Sequence, residues 1–260
     1  MPNNSNIRML LSIATAAILM VNTPLAAEEY SIYFVPSTTN SLQQGFLRFT
    51  NPNLDPVSVT MVGIDDSGNS GQTTLTFDIG GLASQQYNSD DLEFGNEIKG
   101  LTGYLGVGNE NWSLNITTTN DVGVSSYVRT SEGFLTKIGD VVPNTNKTSH
   151  VVPIFNPASN TNQVSVLRVV NLGNDVNDIS ILGIDDNGDI SSTASISLAG
   201  NESVMLTSQN IENGTGGLSS GIGDGKGKWQ LFVTTSQPAV LMNFLESPGG
   251  YLTNLSKPNN

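Results

Sequence analysis

Cysteine is absent from the 260-residue chain. No disulfide can form, and no thiolate is available for a structural zinc site. A protein of this composition that leaves the cytoplasm must therefore take its stability from a hydrophobic core. The chain is long enough to build such a core in two domains of ordinary size.

Positive charge is scarce as well. The chain has 10 Lys and Arg against 23 Asp and Glu, which gives a formal net charge of −13. Affinity for nucleic acid comes mainly from Lys and Arg that neutralise phosphates. Because acidic residues outnumber basic ones, we do not expect a nucleic-acid partner. The negative charge favours solubility outside the cell, and it also attracts cations.

No apolar run near the N-terminus is long enough for a membrane helix. The run from Met9 to Val21 has 13 residues, whereas a helix that spans a bilayer needs about 20. Arg8 precedes this run and small residues follow it at Ala26 and Ala27, which is typical of a signal peptide. We predict that residues 1–27 are such a peptide, cleaved before Glu28; an uncleaved anchor or a buried N-terminal helix is the alternative. We therefore expect a secreted, periplasmic or cell-surface protein without a transmembrane segment in the mature chain.

One four-residue stretch, Gly-Ile-Asp-Asp, occurs twice, at 63–66 and at 183–186. Each copy ends a run of alternating apolar residues and is followed by a glycine, Gly68 or Gly188. Period-2 alternation indicates a half-buried strand, and Asp, Asn and Gly favour tight turns, so each copy is interpreted as the tip of a β-hairpin. Other matches follow at a separation of 120 positions that falls to 117 towards the C-terminus; they include Arg48 and Arg168, Asn51 and Asn171, Trp112 and Trp229, and Gly133 and Gly250.

These matches predict an internal duplication. Each copy has about seven short strands separated by Gly, Asn, Asp and Ser turns, which is typical of an immunoglobulin-like or fibronectin-like β-sandwich. We expect Trp112 and Trp229 to lie at the centres of the two cores. One capped helical turn is predicted in each copy, at Ser89–Gly95 and Ser208–Gly214. The predicted fold is all-β, with one sandwich at 28–138, a linker at 139–149 and a second sandwich at 150–260.

Several short sequence motifs occur together in the second copy: Asn160–Gln163 ahead of Leu167-Arg168, Gly183–Gly188, Trp229-Gln-Leu231 and Ser247–Ser256. This combination resembles a repeat module of unknown function in exported bacterial proteins, which is sometimes appended to secreted peptidases and other hydrolases. The match covers most of the second half and, more loosely, the first, where Lys137 stands in place of Asn254. The resemblance implies export and a non-catalytic accessory role, and it assigns no site residues.

The Asp-Asp tips are candidate metal sites. Oxygen-bearing side chains recur at alternate positions along each turn, a spacing that lets several oxygens converge on a hard cation such as Ca²⁺. Because Ca²⁺ takes six to eight oxygens, a full site needs carboxylates from a neighbouring loop, such as Asp90, Asp91 and Glu93. The alternative is an ordinary hairpin tip with no cofactor. The predicted ligands are Asp65, Asp66 and Asn69 in the first copy and Asp185, Asp186 and Asp189 in the second.

A catalytic site has weak support. Gly217–Gly221 has the letters of a nucleophile elbow around Ser219, but that motif requires a helix after it and a histidine and an acid at hand. The sole histidine, His150, lies at the end of the predicted linker. We therefore predict that the protein is not an enzyme.

The function that the sequence favours is an exported, non-catalytic binding, adhesive or envelope-associated structural protein. The alternatives are a Ca²⁺-stabilised extracellular module and an exported hydrolase. The partner is an unknown protein or glycan. Aromatic residues outside the predicted core strands could provide a glycan platform; they are Tyr87, Tyr104, Phe134 and Tyr251.

Overall fold

The computed structural model describes residues 27–138 and 147–256. The predicted signal peptide, apart from Ala27, and most of the predicted linker lie outside the described residues. The prediction of an all-β fold with two tandem sandwiches is confirmed.

The N-terminal sandwich consists of two antiparallel four-stranded sheets, with strand orders β1-β6-β3-β4 and β5-β2-β7-β8. One short helix, α1 (Ser89–Phe94), and one 3₁₀ turn, Glu97–Lys99, follow β5. The strands are β1 (Glu28–Pro36), β2 (Gln43–Thr50), β3 (Val57–Asp65), β4 (Leu75–Ile79), β5 (Ser84–Asn88), β6 (Asn111–Thr118), β7 (Gly123–Thr130) and β8 (Leu135–Lys137).

The C-terminal sandwich has the corresponding strand orders, β9-β14-β11-β12 and β13-β10-β15-β16. Its helix, α2 (Ser208–Asn213), again follows the fifth strand. The strands are β9 (Ser149–Phe155), β10 (Val164–Asn171), β11 (Asn177–Asp185), β12 (Ile190–Leu198), β13 (Ser203–Thr207), β14 (Trp229–Thr235), β15 (Ala239–Glu246) and β16 (Leu252–Asn254).

Each sandwich thus has one more strand than the seven expected. The additional strands, β8 and β16, contain three residues each and pair at the edge with β7 and β15. A three-residue strand is too short to produce a period-2 pattern in the sequence.

The two helical turns lie where the sequence predicts them, and each begins at the predicted serine, Ser89 or Ser208. Asn88 and Thr207 are the N-caps, and each accepts from the backbone N–H three positions on. The side chains of Asp91 and Asn210 in turn accept from the backbone N–H groups of Asn88 and Thr207, which completes a capping box at each helix.

Each sandwich has its own core, and Trp112 and Trp229 are buried in them as predicted. The glycine of Gly-Ile-Asp-Asp packs against this ring in both halves. A Cβ at Gly63 would lie 3.0 Å from Cε3 of Trp112, and one at Gly183 would lie 2.7 Å from Cε3 of Trp229. The tip motif and the tryptophan strand are therefore coupled by close packing.

A third apolar cluster lies between the two sandwiches. It joins the outer face of the sheet β13-β10-β15-β16 to the first strand and the C-terminal strands of the N-terminal sandwich. Its buried members are Tyr33, Phe34, Val128 and Ile138 from the N-terminal sandwich and Val166, Val170, Val240, Met242, Phe244 and Leu252 from the C-terminal one.

Candidate functional site at the Asp-Asp tips

The first aspartate of each tip holds the turn together. Oδ1 of Asp65 accepts from the backbone N–H groups of Ser67, at 3.1 Å, and Asn69, at 2.9 Å. Oδ1 of Asp185 accepts in the same way from Asn187, at 2.9 Å, and from the following Asp189, at 3.0 Å. Gly68 and Gly188 have φ of 79° and 85°, a left-handed conformation that glycine adopts without strain. Both tips are hairpin turns, as the sequence predicts.

The other oxygen of each of these carboxylates points to the loop before the tryptophan strand. Oδ2 of Asp65 accepts from the N–H of Asn109 at 3.2 Å, and Oδ2 of Asp185 accepts from the N–H of Lys226 at 2.8 Å. The bond from Lys226, more than any other contact, lowers the pKa of Asp185 below its ordinary value. The carboxylates of Asp65 and Asp185 therefore act as caps for backbone amides.

The burial and the contacts of the second aspartate differ completely between the two tips. Asp66 is buried and forms a bidentate ion pair with Arg168 of the C-terminal sandwich, with N–O distances of 2.6 and 3.0 Å. Asn111 also donates to Oδ2 of Asp66, at 2.8 Å. The side chain of Arg168 is 0% exposed, its Nε donates to the carbonyl of Tyr33 at 2.6 Å, and its guanidinium lies 5.6 Å from the ring centre of Phe34. This ion pair connects the two sandwiches.

At the second tip, Asp186 is exposed, and its Oδ2 accepts from the backbone N–H of Lys228 at 2.8 Å. Arg48, which occupies the position in β2 that Arg168 has in β10, is exposed as well. The same residue types therefore form a buried ion pair at one place and remain in solvent at the other.

Further contacts, polar and aromatic, join the two sandwiches beside the ion pair. The backbone N–H of Ser203 donates to the carbonyl of Asp66 at 3.0 Å, so the first tip contacts the start of β13. Gln43 donates to the carboxylate of Glu246 at 2.9 Å and to the carbonyl of Gly250 at 3.0 Å. The rings of Phe34 and Phe244 meet at 5.0 Å between their centres.

The predicted calcium ligands lie at the two tips, in the same local order in both. Among residues 27–138 and 147–256, no group of three or more His, Asp or Glu side chains is placed to hold a metal ion. Asp91, suggested as an additional ligand, pairs with Lys99, and Glu93 accepts from the indole of Trp112. Calcium binding at the tips stays a prediction, and the geometry favours their use as turns.

A buried tryptophan–glutamate pair recurs in both cores, and it was not predicted from the sequence. Nε1 of Trp112 donates to Glu93, and Nε1 of Trp229 donates to Glu212, each at 2.7 Å. Both carboxylates come from the short helices and also accept backbone N–H bonds, from Gly108 at 3.3 Å for Glu93 and from Ala158 at 3.1 Å for Glu212. The signal for the pairing is the recurrence of Glu and Trp at matching places in the two copies.

The residues considered for catalysis are not brought together. The hydroxyl of Ser219 contacts that of Ser195 on β12, at 2.8 Å. His150 lies on β9, at the opposite edge of the same four-stranded sheet, so about 14 Å separates the two edge strands at the usual strand spacing. Burial lowers the pKa of His150 to about 4.

Two of the four aromatic candidates do lie side by side. Phe134 and Tyr251, at matching positions of the two copies, have ring centres 5.6 Å apart, and both are exposed. Tyr87 does not belong to a surface platform, because β5 turns it into the core, where its hydroxyl donates to the carbonyl of Lys99 at 3.1 Å.

No helix among the described residues is long and apolar enough to cross a membrane. Comparison with protein-family models and with curated proteins finds no match to this chain.

Proposed function

We propose that this protein is exported and acts without catalysis, as a structural or binding protein of the cell envelope or its surroundings. The observation that carries the proposal is the buried ion pair of Asp66 and Arg168, set within an apolar cluster between the sandwiches. Sandwiches within one chain move relative to each other unless their contact is large and hydrophobic. A contact of this composition supports a rigid two-part body, which suits a role in presenting surfaces to partners.

The arrangement of the polar side chains also supports a non-catalytic role. A hydrolase of the serine type needs a nucleophile, a base and an orienting acid in mutual contact. Ser219 lies against the edge strand β12, and His150 lies on β9 at the opposite edge of the same sheet. Glu212, the nearest buried acid to Ser219 in the chain order, accepts from the indole of Trp229. The buried carboxylates of the cores stabilise the fold by binding indole and backbone N–H groups.

Export rests on the sequence of residues 1–27, which has the features of a signal peptide. The negative charge, with 23 acidic residues against 10 basic ones, favours solubility and disfavours binding to nucleic acid. A protein or glycan partner whose contacting surface is neutral or basic fits this charge.

Expression of the whole chain in a Gram-negative host tests the proposal. We expect intact-mass measurement to find the protein outside the cytoplasm, beginning at Glu28, and cosedimentation to find it bound to isolated cell envelopes. Recovery of the uncleaved chain in the cytoplasm would refute export.

A Ser219→Ala variant tested beside the wild type on peptide, ester and glycoside substrates addresses catalysis. Turnover by the wild type that this variant lacks would contradict a non-catalytic role.

A further inference from the structure

The contact between the two sandwiches joins two different surfaces. The N-terminal sandwich contributes the end of β1, with Phe34, and the first tip, with Asp66; we call this combination the docking end. The C-terminal sandwich contributes the outer face of β10, β15 and β16, with Arg168 at its centre; we call this the receiving face. Because the two sandwiches have equivalent folds, each of them has both a docking end and a receiving face. The internal contact uses one surface of each kind, so the receiving face of the N-terminal sandwich and the docking end of the C-terminal sandwich remain unused.

The unused receiving face lies on the outer side of β2, β7 and β8. Strand register places its residues at the positions of the covered receiving face: Phe46 corresponds to Val166, Arg48 to Arg168, Gln86 to Met205, Tyr127 to Phe244, Arg129 to Glu246, and Leu135 to Leu252. These six residues line a groove of about 280 Å³. Leu252 is 1% exposed beneath the N-terminal sandwich, whereas Leu135 is 64% exposed.

The unused docking end lies on the C-terminal sandwich. Ile154 occupies the place of Phe34 in its strand, and it is 46% exposed where Phe34 is 1% exposed. Asp186 occupies the place of Asp66. A Cβ at Gly68 would lie 2.9 Å from the carbonyl oxygen of Gly200 across the internal contact, whereas a Cβ at Gly188 would meet nothing within 4 Å.

At the unused surfaces Arg48 and Asp186 occupy the places of the internal ion pair, and Lys228 stands where Asn111 donates to Asp66. Arg48 offers the guanidinium that Asp186 lacks, and the carbonyl of Pro153 stands where the carbonyl of Tyr33 accepts from Arg168. Internally, Gln43 donates to Glu246. At the unused surfaces Gln163 and Arg129 take these two positions, and a glutamine amide can accept from a guanidinium as well as donate to a carboxylate.

We propose that a second copy of this chain occupies the receiving face around Arg48, inserting its docking end with Ile154 and Asp186, so that molecules associate head to tail. The proposal rests on the structural role proposed above and names the partner. An arrangement of this kind closes into a ring or extends as a filament, depending on the rotation between successive copies.

This association is weaker than the internal contact. Thr50 and Ser125 stand where the covered face has Val170 and Met242, so less apolar surface is removed from water. The contact of β8 with β16, in which Thr136 donates to the carbonyl of Leu252, is already made within the chain. The excess of acidic residues also repels a second copy at low salt.

Sedimentation equilibrium of the mature chain in 0.15 M salt, from about 10 µM to 1 mM, tests the proposal. Two variants block one surface each: Leu135→Glu on the receiving face and Ile154→Glu at the docking end. Val62→Glu, on the outer face of the opposite sheet, where Val62 is 46% exposed, is the matched control. Thermal unfolding of each variant establishes that it folds.

We expect the wild type and Val62→Glu to increase in mean mass with concentration and the two blocked variants to remain monomers. An equimolar mixture of Leu135→Glu and Ile154→Glu should form 1:1 dimers, because each partner retains the surface that the other lacks. A monomeric wild type at 1 mM, or a mixture that stays monomeric, would overturn the proposal. Export and the absence of catalysis are measured separately, so this failure would leave the proposed function standing.

Discussion

The two Asp-Asp tips share Gly-Ile-Asp-Asp and the same turn geometry, yet their second aspartates lie in opposite environments. Asp66 is covered by the C-terminal sandwich and holds Arg168, whereas Asp186 faces solvent. The tips differ in what packs on them, and the turn itself is unaffected, because Asp65 and Asp185 cap it in the same way. A repeated motif can therefore keep its role in folding while only one copy forms the contact that joins the halves.

The largest expected effect is the loss of the buried carboxylate. Asp66→Ala leaves the guanidinium of Arg168 buried without its anion, which should cost about 3–5 kcal/mol of unfolding free energy. Asp186→Ala removes an exposed side chain and one bond to a backbone N–H, so it should cost about 1 kcal/mol or less. Denaturant unfolding of both variants measures the difference. Equal losses would show that the environment of the two aspartates does not matter.

The glycines of the two motifs should behave alike, because both lie against a tryptophan ring. Gly63→Ala and Gly183→Ala each force a Cβ to within about 3 Å of the ring, and overpacking of this kind costs about 1–3 kcal/mol. Thermal unfolding of the two variants gives the comparison. A loss at only one of the two positions would show that the two cores pack differently around Trp112 and Trp229.

A pH effect from a histidine should belong to the C-terminal sandwich alone, because His150 is the sole histidine. His150 and Tyr30 are matching residues of β9 and β1, and burial holds the folded-state pKa of His150 at about 4, below its ordinary value of 6.5. The unfolded chain therefore binds the proton more readily. The contribution of His150 to the free energy of unfolding is fully present above pH 6.5 and is lost as the pH falls towards 4. Because His150 is partly exposed, solvent screening reduces this to about 1 kcal/mol.

Replacing His150 with the residue found at the matching position, in His150→Tyr, should remove this dependence. Burial raises the pKa of Glu246, so its contribution weakens as the pH rises, which is the opposite direction. The difference between variant and wild type, measured by thermal unfolding from pH 7 to 4.5, isolates the histidine. Parallel curves for the two proteins would rule out its role.

The smallest effect is expected from calcium. Asp65 and Asp185 already accept two backbone amides at one oxygen and a third at the other, so millimolar Ca²⁺ should move Tm by no more than about 1 °C relative to a chelator. A rise of several degrees that Asp186→Ala abolishes would instead establish the metal site that the spacing of oxygens predicts.

Local patterns predicted the parts of the fold that depend on near neighbours. The alternation in β3 and β11, the glycines of the tips and the capped helical turns each follow from a few adjacent residues. The tryptophan–glutamate pairs do not, because Glu93 and Trp112 meet only through the packing of a helix end on a strand.

The contact between the sandwiches was the feature hardest to predict. Arg48 and Arg168 occupy matching positions of β2 and β10, so the arginines alone do not show which of them is buried. A signal was present in β10, where Val166 and Val170 are apolar on the face that would be solvated in a two-layer sandwich. A strand that is apolar on both faces is covered on both, whereas β2 alternates and remains half exposed.

The central claim is that Asp66 and Arg168 form one buried pair between the sandwiches while Arg48 and Asp186 are independent in the monomer. A double-mutant cycle on unfolding free energy, with Asp66→Ala, Arg168→Met and the double variant, measures this coupling directly. We predict a coupling of about 2–3 kcal/mol for this pair, and a value near zero for the matched cycle of Asp186→Ala and Arg48→Met at low protein concentration. No coupling between Asp66 and Arg168 would contradict the account.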